Sequence, residues 1–244
     1  MSEQKTLLLT GASRGIGHAT VKHFHASGWR IFTASRQNWV EDCPWVEGVL
    51  NHIHLDLEDI NSVQDTLPLI KEKLGGRLDA LVDNAGISPK GVDGSRLGVR
   101  QTDYATWLRV FNVNLFSCAL LANGLFDELR ASQGSIINIT SIAGTRVHPF
   151  AGSAYASSKA ALSALTREMA NEFGPYGIRV NAIAPGEIET SILSPGTDEI
   201  VARQVPMQRL GKPEEVASLI YFLCNSGASY VNGAEIQVNG GQHV

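Results

Sequence analysis

Cysteine is scarce in this chain: Cys43, Cys118 and Cys224 are the three in 244 residues. Odd in number, far apart and in no CxxC or Cys/His cluster, they argue against a disulfide scaffold and a zinc site. The histidines have no metal-ligand spacing either, so no metal is expected. Basic residues are not in excess: Lys plus Arg is 20 against 24 for Asp plus Glu, a net charge of -4. No basic field is available for a phosphate backbone, which argues against a nucleic-acid partner. No stretch reads as long enough to span a membrane, and the first residues run into the apolar Leu7 to Leu9 too soon for a signal peptide. The expected compartment is the cytoplasm. Linkers, composition shifts and internal repeats are also missing, so the expectation is one domain over 1–244. With 43% hydrophobic and 18% charged residues the chain can bury a real core.

What is present is an alternation. Apolar runs of strand length fall at 6–10, 30–34, 52–55, 80–83, 135–140, 179–184 and 235–238. Amphipathic stretches lie between them, the clearest at 15–27, 60–74, 104–129, 155–173 and 214–224. This pattern builds an α/β fold with a doubly wound, mostly parallel seven-stranded sheet covered by helices on both faces. Segments 88–101, rich in Gly and Arg, and 187–209, with Pro195, Gly196 and Pro206, break the rhythm and read as substrate loops.

The first strand ends in Thr10-Gly11-Ala12-Ser13-Arg14-Gly15-Ile16-Gly17 and a helix follows at once. Gly11 suits a tight turn, Gly15 lets backbone amides approach a pyrophosphate, and Gly17 lets helix and strand pack closely, with the anion on the helix N-terminus. The spacing is GxxxGxG. After the second strand, where NAD enzymes usually place an acid for the ribose 2′-OH, stands Ala34-Ser35-Arg36. Arg36 and Arg14 either clamp a 2′-phosphate or are solvated surface residues; the clamp favours NADP(H) over NAD(H). Asp56 either accepts from the adenine amino group or caps a helix. Trp39 and Trp45 cover the adenine side or pack on the surface.

Further motifs follow: Asp83-Asn84-Ala85-Gly86, Asn112-Val113-Asn114-Leu115, Asn138-Ile139-Thr140-Ser141, Tyr155-Ala156-Ser157-Ser158-Lys159, Pro185-Gly186-Glu187-Ile188-Glu189-Thr190, 209–216 and Val238-Asn239-Gly240-Gly241. Together they resemble the classical short-chain dehydrogenase/reductases, essentially end to end, and among them the 3-oxoacyl-carrier-protein reductases. Asp83 departs from the family, which normally has Asn there, and the loop 88–101 is longer than in many relatives.

The resemblance implies a single-domain Rossmann fold, a homotetramer or dimer, and an NADP(H)-dependent oxidoreductase acting on a small carbonyl or secondary alcohol. Hydride transfer at an sp² carbon needs a proton moved at the oxygen, and Tyr155 is the acid/base candidate. Lys159, one helical turn on, is expected to favour the phenolate and lower the Tyr155 pKa. By resemblance Lys159 also binds the nicotinamide ribose, and Asn114 holds a water that relays protons from it. Ser141 would donate to the substrate oxygen; Thr140 and Ser153 are its rivals, and Asn112 is the rival to Asn114. Ser13, Ile16, Asn84, Ala85, Gly86, Pro185 and Gly186 complete the cofactor contacts, with Ile188 and Thr190 fixing the carboxamide. Arg96 and Arg100 are either a carboxylate anchor or solvated charges, and His148 and Phe150 lie where relatives line the pocket. A 3-oxoacyl thioester reductase, a polyol, sugar or other alcohol dehydrogenase, a dinucleotide sensor and a lyase or epimerase all stay open.

Overall fold

A computed structural model describes residues 4–37, 51–190, 194 and 196–244. Trp39, Cys43, Trp45 and Pro195 lie outside the described residues. Strand β1 (Thr6–Thr10) is followed by α1 (Gly15–Ala26), β2 (Arg30–Ser35), β3 (His52–His54), α2 (Ile60–Leu74) and β4 (Ala80–Asp83). The second half runs α3 (Tyr104–Phe111), a π-helical turn (Asn112–Phe116), α4 (Ser117–Gly124), α5 (Phe126–Ser132), β5 (Ser135–Ile139) and α6 (Ser153–Phe173). It closes with β6 (Arg179–Pro185), α7 (Thr197–Gln204), α8 (Pro213–Leu223) and β7 (Glu235–Val238).

The strands stand in the order β3-β2-β1-β4-β5-β6-β7 and every pairing among them is parallel. The expected mostly parallel sheet is therefore wholly parallel among the described residues. Both faces are covered, which is why β1 reads as the continuous run Thr-Leu-Leu-Leu-Thr, buried throughout. Alternation then splits it: Leu8, Phe32, Leu81, Ile136 and Val180 face a core with α2, α4 and α6. Leu7, Leu9, Val82, Ile137 and Ile183 face α1 and α8 on the other side.

Local chemistry sets the ends of the helices. Asp59 caps α2 by accepting from the Asn61 amide at 2.9 Å, and Gly75 ends it in the left-handed conformation at φ 72°. Asp103 caps α3 through the Thr106 amide at 2.7 Å. Pro213 opens α8, and the Glu215 carboxylate reaches back to the Lys212 amide at 2.7 Å.

Three expectations are corrected. The single helix expected over 104–129 carries a π turn at 112–116 and is interrupted at Leu125, where a separate short helix begins. Segment 187–209 is not all loop, because α7 lies within it. The 104–124 run also contradicts the reading that no stretch could span a membrane: by length and composition it could. One side of it is buried, at Val110, Val113, Asn114, Ser117, Cys118 and Leu121, while Tyr104, Leu108 and Phe116 are exposed on the other.

Candidate active site

In an open parallel sheet a ligand crevice forms outside the carboxyl ends of the strands where the order reverses. Here that point lies between β1 and β4. A cleft of about 580 Å³ opens there and runs past the ends of β1, β2, β4, β5 and β6. It is lined by Gly11, Ser13, Arg14, Gly15, Ile16, Arg36, Asp56, Asn84, Ala85, Gly86, Ser141, Tyr155, Lys159, Pro185, Gly186, Ile188 and Thr190. Two expected residues do not line it: Gly17 lies behind the turn and Asn114 is wholly buried.

The turn after β1 is braced from the neighbouring strand. Asn84 donates its amide to the carbonyls of Thr10 and Gly11 at 3.1 and 2.8 Å, and Thr10 Oγ1 accepts from the Asn84 and Ala85 amides. A Cβ at Gly17 would stand 2.1 Å from the Gly11 carbonyl oxygen, and one at Gly15 3.0 Å from Thr190 Cγ2. The backbone therefore approaches itself and Thr190 as closely as a phosphate cradle requires, and the residues fit a bound dinucleotide.

At the adenosine end Arg36 is half exposed and meets Glu58 at 2.6 Å, while Arg109 reaches the same carboxylate oxygen at 3.1 Å. Asp56 accepts from the Glu58 amide at 2.9 Å inside a turn. The capping role considered for it is overturned, since Asp59 caps α2 from three residues further on.

At the nicotinamide end Ser141 leaves β5 in extended conformation and accepts from the Ala143 amide at 3.1 Å. Tyr155 and Lys159 follow on one face of α6. The Lys159 ammonium, 3% exposed, donates to the Ile139 carbonyl at 2.7 Å and lies 5.8 Å from the centre of the Tyr155 ring. Of the rivals, Thr140 is buried with its hydroxyl on Ile183 and Glu235, and Asn112 donates to the Glu58 carbonyl. Asn114 instead braces the Ile87 backbone, accepting its amide at 2.9 Å and donating to its carbonyl at 3.1 Å, and donates to Ser158 at 3.0 Å.

The expected lowering of the Tyr155 pKa by Lys159 is not what these contacts produce. Burial pushes the phenol up, the hydrogen bond with Ser141 acts against that, and the Glu187 carboxylate adds to the rise. Burial lowers Lys159 to about 8, opposed by Cys118 and Asp83. Asp83 is pushed to about 8 by burial against the pull of Lys159, and among the described residues its Oδ2 has no hydrogen-bond partner. A phenol held up is a proton donor at neutral pH.

His148 and Phe150 line the cleft as expected. Arg96 does not, and donates to the Ala151 carbonyl at 2.7 Å. Three polar groups here were not singled out from the sequence: Lys90, which donates to the Phe150 carbonyl, Glu187, and Gln242. Lys90 had no motif around it, while Glu187 sat inside one as an unassigned position.

The profile of a family described as "Enoyl-(Acyl carrier protein) reductase" matches residues 11–243. The chain is 56% identical over 244 residues to the protein FixR of Bradyrhizobium diazoefficiens, covering 99% of this chain and 88% of that one. It is 37% identical over 250 residues to a 3-oxoacyl-[acyl-carrier-protein] reductase of Pseudomonas aeruginosa, covering 98% of each. A crystal structure of a short-chain dehydrogenase/reductase family oxidoreductase from Brucella ovis, in complex with a partially ordered NAD, superposes with a TM-score of 0.85 at 55% identity over 97% of this chain and all of that one.

Proposed function

Since the chain belongs to the short-chain dehydrogenase/reductase family and is an NAD(P)-dependent oxidoreductase acting on a small molecule, we propose that Tyr155 is its general acid/base and that it interconverts a carbonyl and a secondary alcohol with NADP(H) preferred. The observation that carries this is the convergence of Ser141, Tyr155 and Lys159 on the same cleft as the Gly11–Gly15 turn.

A bound nicotinamide dinucleotide supplies or accepts the hydride. Ser141 donates to the substrate oxygen and holds it beside the Tyr155 hydroxyl, which delivers the proton as charge develops on that oxygen. Lys159 brings a positive charge to the ribose side of the cleft. Asn114 shapes the wall by fixing the backbone at Ile87.

The preference for NADP(H) rests on Arg36 and Arg14 where an acid is lacking. Arg36 must leave Glu58 to take a 2′-phosphate. An exposed ion pair is worth about 0.2–1 kcal/mol, whereas a charge-assisted contact to phosphate contributes roughly 1.5–3 kcal/mol. The exchange is favourable, and Arg109 stays on Glu58 after Arg36 swings away.

Reduction of a 3-oxoacyl thioester, the activity in the name of the Pseudomonas relative, is one form of this reaction; dehydrogenation of a polyol or other alcohol is the second. The carboxylate of Glu187 beside the reacting centre favours the second. Free buried thiols at Cys118 and Cys224 suit a reducing, cytoplasmic compartment. The exposed Tyr104, Leu108 and Phe116 offer an apolar face for a homotetramer or dimer.

The test is NADPH and NADH consumption with small ketones and an acetoacetyl thioester, alongside Tyr155→Phe. The expected result is turnover that prefers NADPH and falls by about 10²–10⁴ in the variant with cofactor binding kept. Full turnover in Tyr155→Phe would overturn the assignment.

A further inference from the structure

Glu187 is a carboxylate in a site otherwise arranged to hold a carbonyl. It follows Gly186 at the end of β6, lines the cleft with Ser141 and Tyr155, and is 8% exposed. Its Oε1 accepts from His148 Nε2 at 2.6 Å and from Gln242 Nε2 at 3.3 Å. His148 Nδ1 accepts from the Phe150 amide at 3.2 Å, so both ring nitrogens are used and the assigned tautomer carries its proton on Nε2. Burial alone would raise the Glu187 pKa, but the hydrogen bonds from His148 and Gln242 and the charge of Lys90 outweigh it and hold it below the usual range. The side chain is thus an oriented anion. Among the described residues no donor reaches its Oε2.

An acceptor with a full negative charge does nothing for a ketone oxygen, which is itself an acceptor, and it opposes the charge that develops there. It is useful only if the substrate brings a donor. Resting on the preceding reading of the reaction, we infer that Glu187 is a specificity-determining residue that accepts a hydrogen bond from a hydroxyl on the carbon next to the carbonyl, so that the substrates are α-hydroxy ketones and the products vicinal diols. In the reductive direction the carbonyl carbon gains a hydride from the reduced nicotinamide and its oxygen gains the Tyr155 proton. The neighbouring hydroxyl is unchanged throughout.

The neighbours of Glu187 distinguish the donor. Lys90 lines the same cleft, is held on the Phe150 carbonyl, and lies close enough for Glu187 to raise its pKa against the lowering by burial. A substrate ammonium would meet that second cation, whereas a neutral hydroxyl would not. A 3-oxoacyl thioester offers only a methylene and a second acceptor at this point.

The matched probes are 3-hydroxy-2-butanone and 2-butanone, with 1-amino-2-propanone as a third arm, at saturating NADPH and again at saturating NADH. The expected result is a kcat/KM ratio of hydroxy ketone to plain ketone of about ten to a hundred, the size of one charge-assisted hydrogen bond. Glu187→Gln should bring that ratio to within about threefold of unity, because a donor then stands where the acceptor was. His148→Ala, which leaves the carboxylate unheld, should lower it in part. Cofactor binding, read by NADPH fluorescence, reports that each variant is folded. A wild-type ratio near one, a ratio unmoved in both variants, or an amino ketone that outpaces the hydroxy ketone would each overturn the inference while the reaction class stands. No turnover of any ketone would remove both.

Discussion

The Lys159 ammonium donates to the carbonyl oxygen of Ile139 at 2.7 Å, tying the middle of α6 to the last residue of β5. Its charge is spent on that strand end more than on the phenol one turn away. With its pKa lowered to about 8 by burial, the ammonium is lost as pH rises past that value. Turnover should therefore show a basic limb near pH 8. In Lys159→Arg, whatever its absolute rate, that limb should move to higher pH, and a pH–rate profile of both proteins reads it directly.

Asp83 is a buried carboxyl with one oxygen unpartnered among the described residues, raised to about 8 by burial. The folded chain binds its proton more tightly than the unfolded one, whose carboxyl titrates near 3.9. The sign follows: the contribution to stability is complete below about pH 4 and is lost as pH rises through 8. Asp83→Asn should therefore stabilise the protein at pH 8 by an amount on the order of a few kcal/mol, and by little at pH 4. Thermal unfolding of both proteins from pH 4 to 8 checks this, and parallel curves would refute it.

Arg36→Ala should lower the ratio of NADPH to NADH kcat/KM by about tenfold. Glu58→Gln should raise NADPH affinity slightly, because Arg36 is released from its pair. Titration of each variant with both cofactors separates these effects from a general loss of binding.

Gly17→Ala puts a Cβ 2.1 Å from the Gly11 carbonyl oxygen, in the turn itself, and 2.6 Å from the side-chain amide nitrogen of Asn84 that braces it. Cofactor affinity should fall sharply and stability by about 1–3 kcal/mol. Gly28→Ala is the contrast: φ is +76° but nothing lies within 4 Å, so only backbone strain of about 1–2 kcal/mol is expected and cofactor affinity should hold. Calorimetry and dinucleotide titration tell the two apart.

Much of this was legible in the sequence. Most of the strands could be read because they are short apolar runs between helical stretches, and α2 fell on 60–74 because Asp59 and Gly75 mark its ends. The helix at 197–204 was missed because it buries only Thr197, Ile200 and Val201 in a polar segment. The π turn was not visible because nothing in Asn-Val-Asn-Leu-Phe departs from helical composition. The direction of the Tyr155 shift was misjudged since spacing alone places Lys159 beside it, while the burial that pushes the phenol up, and the Ile139 carbonyl that takes the ammonium, exist only in the folded chain. Glu187 could be read as a motif position, but its pairing with His148 joins residues 39 apart and appears only once the chain has folded.

The brace from Asn84 to the turn at Gly11 joins residues 73 apart in the chain. The glycine motif, complete at Gly17, leaves the ribosome well before the Asn84 amide that fixes its carbonyls. A nascent chain halted before residue 84 would hold β1, α1 and β2 without competence for a dinucleotide. Acquisition of the ligand is thereby deferred until the sheet has grown past its own middle, and the cofactor can add its binding energy only to chains already committed to this topology.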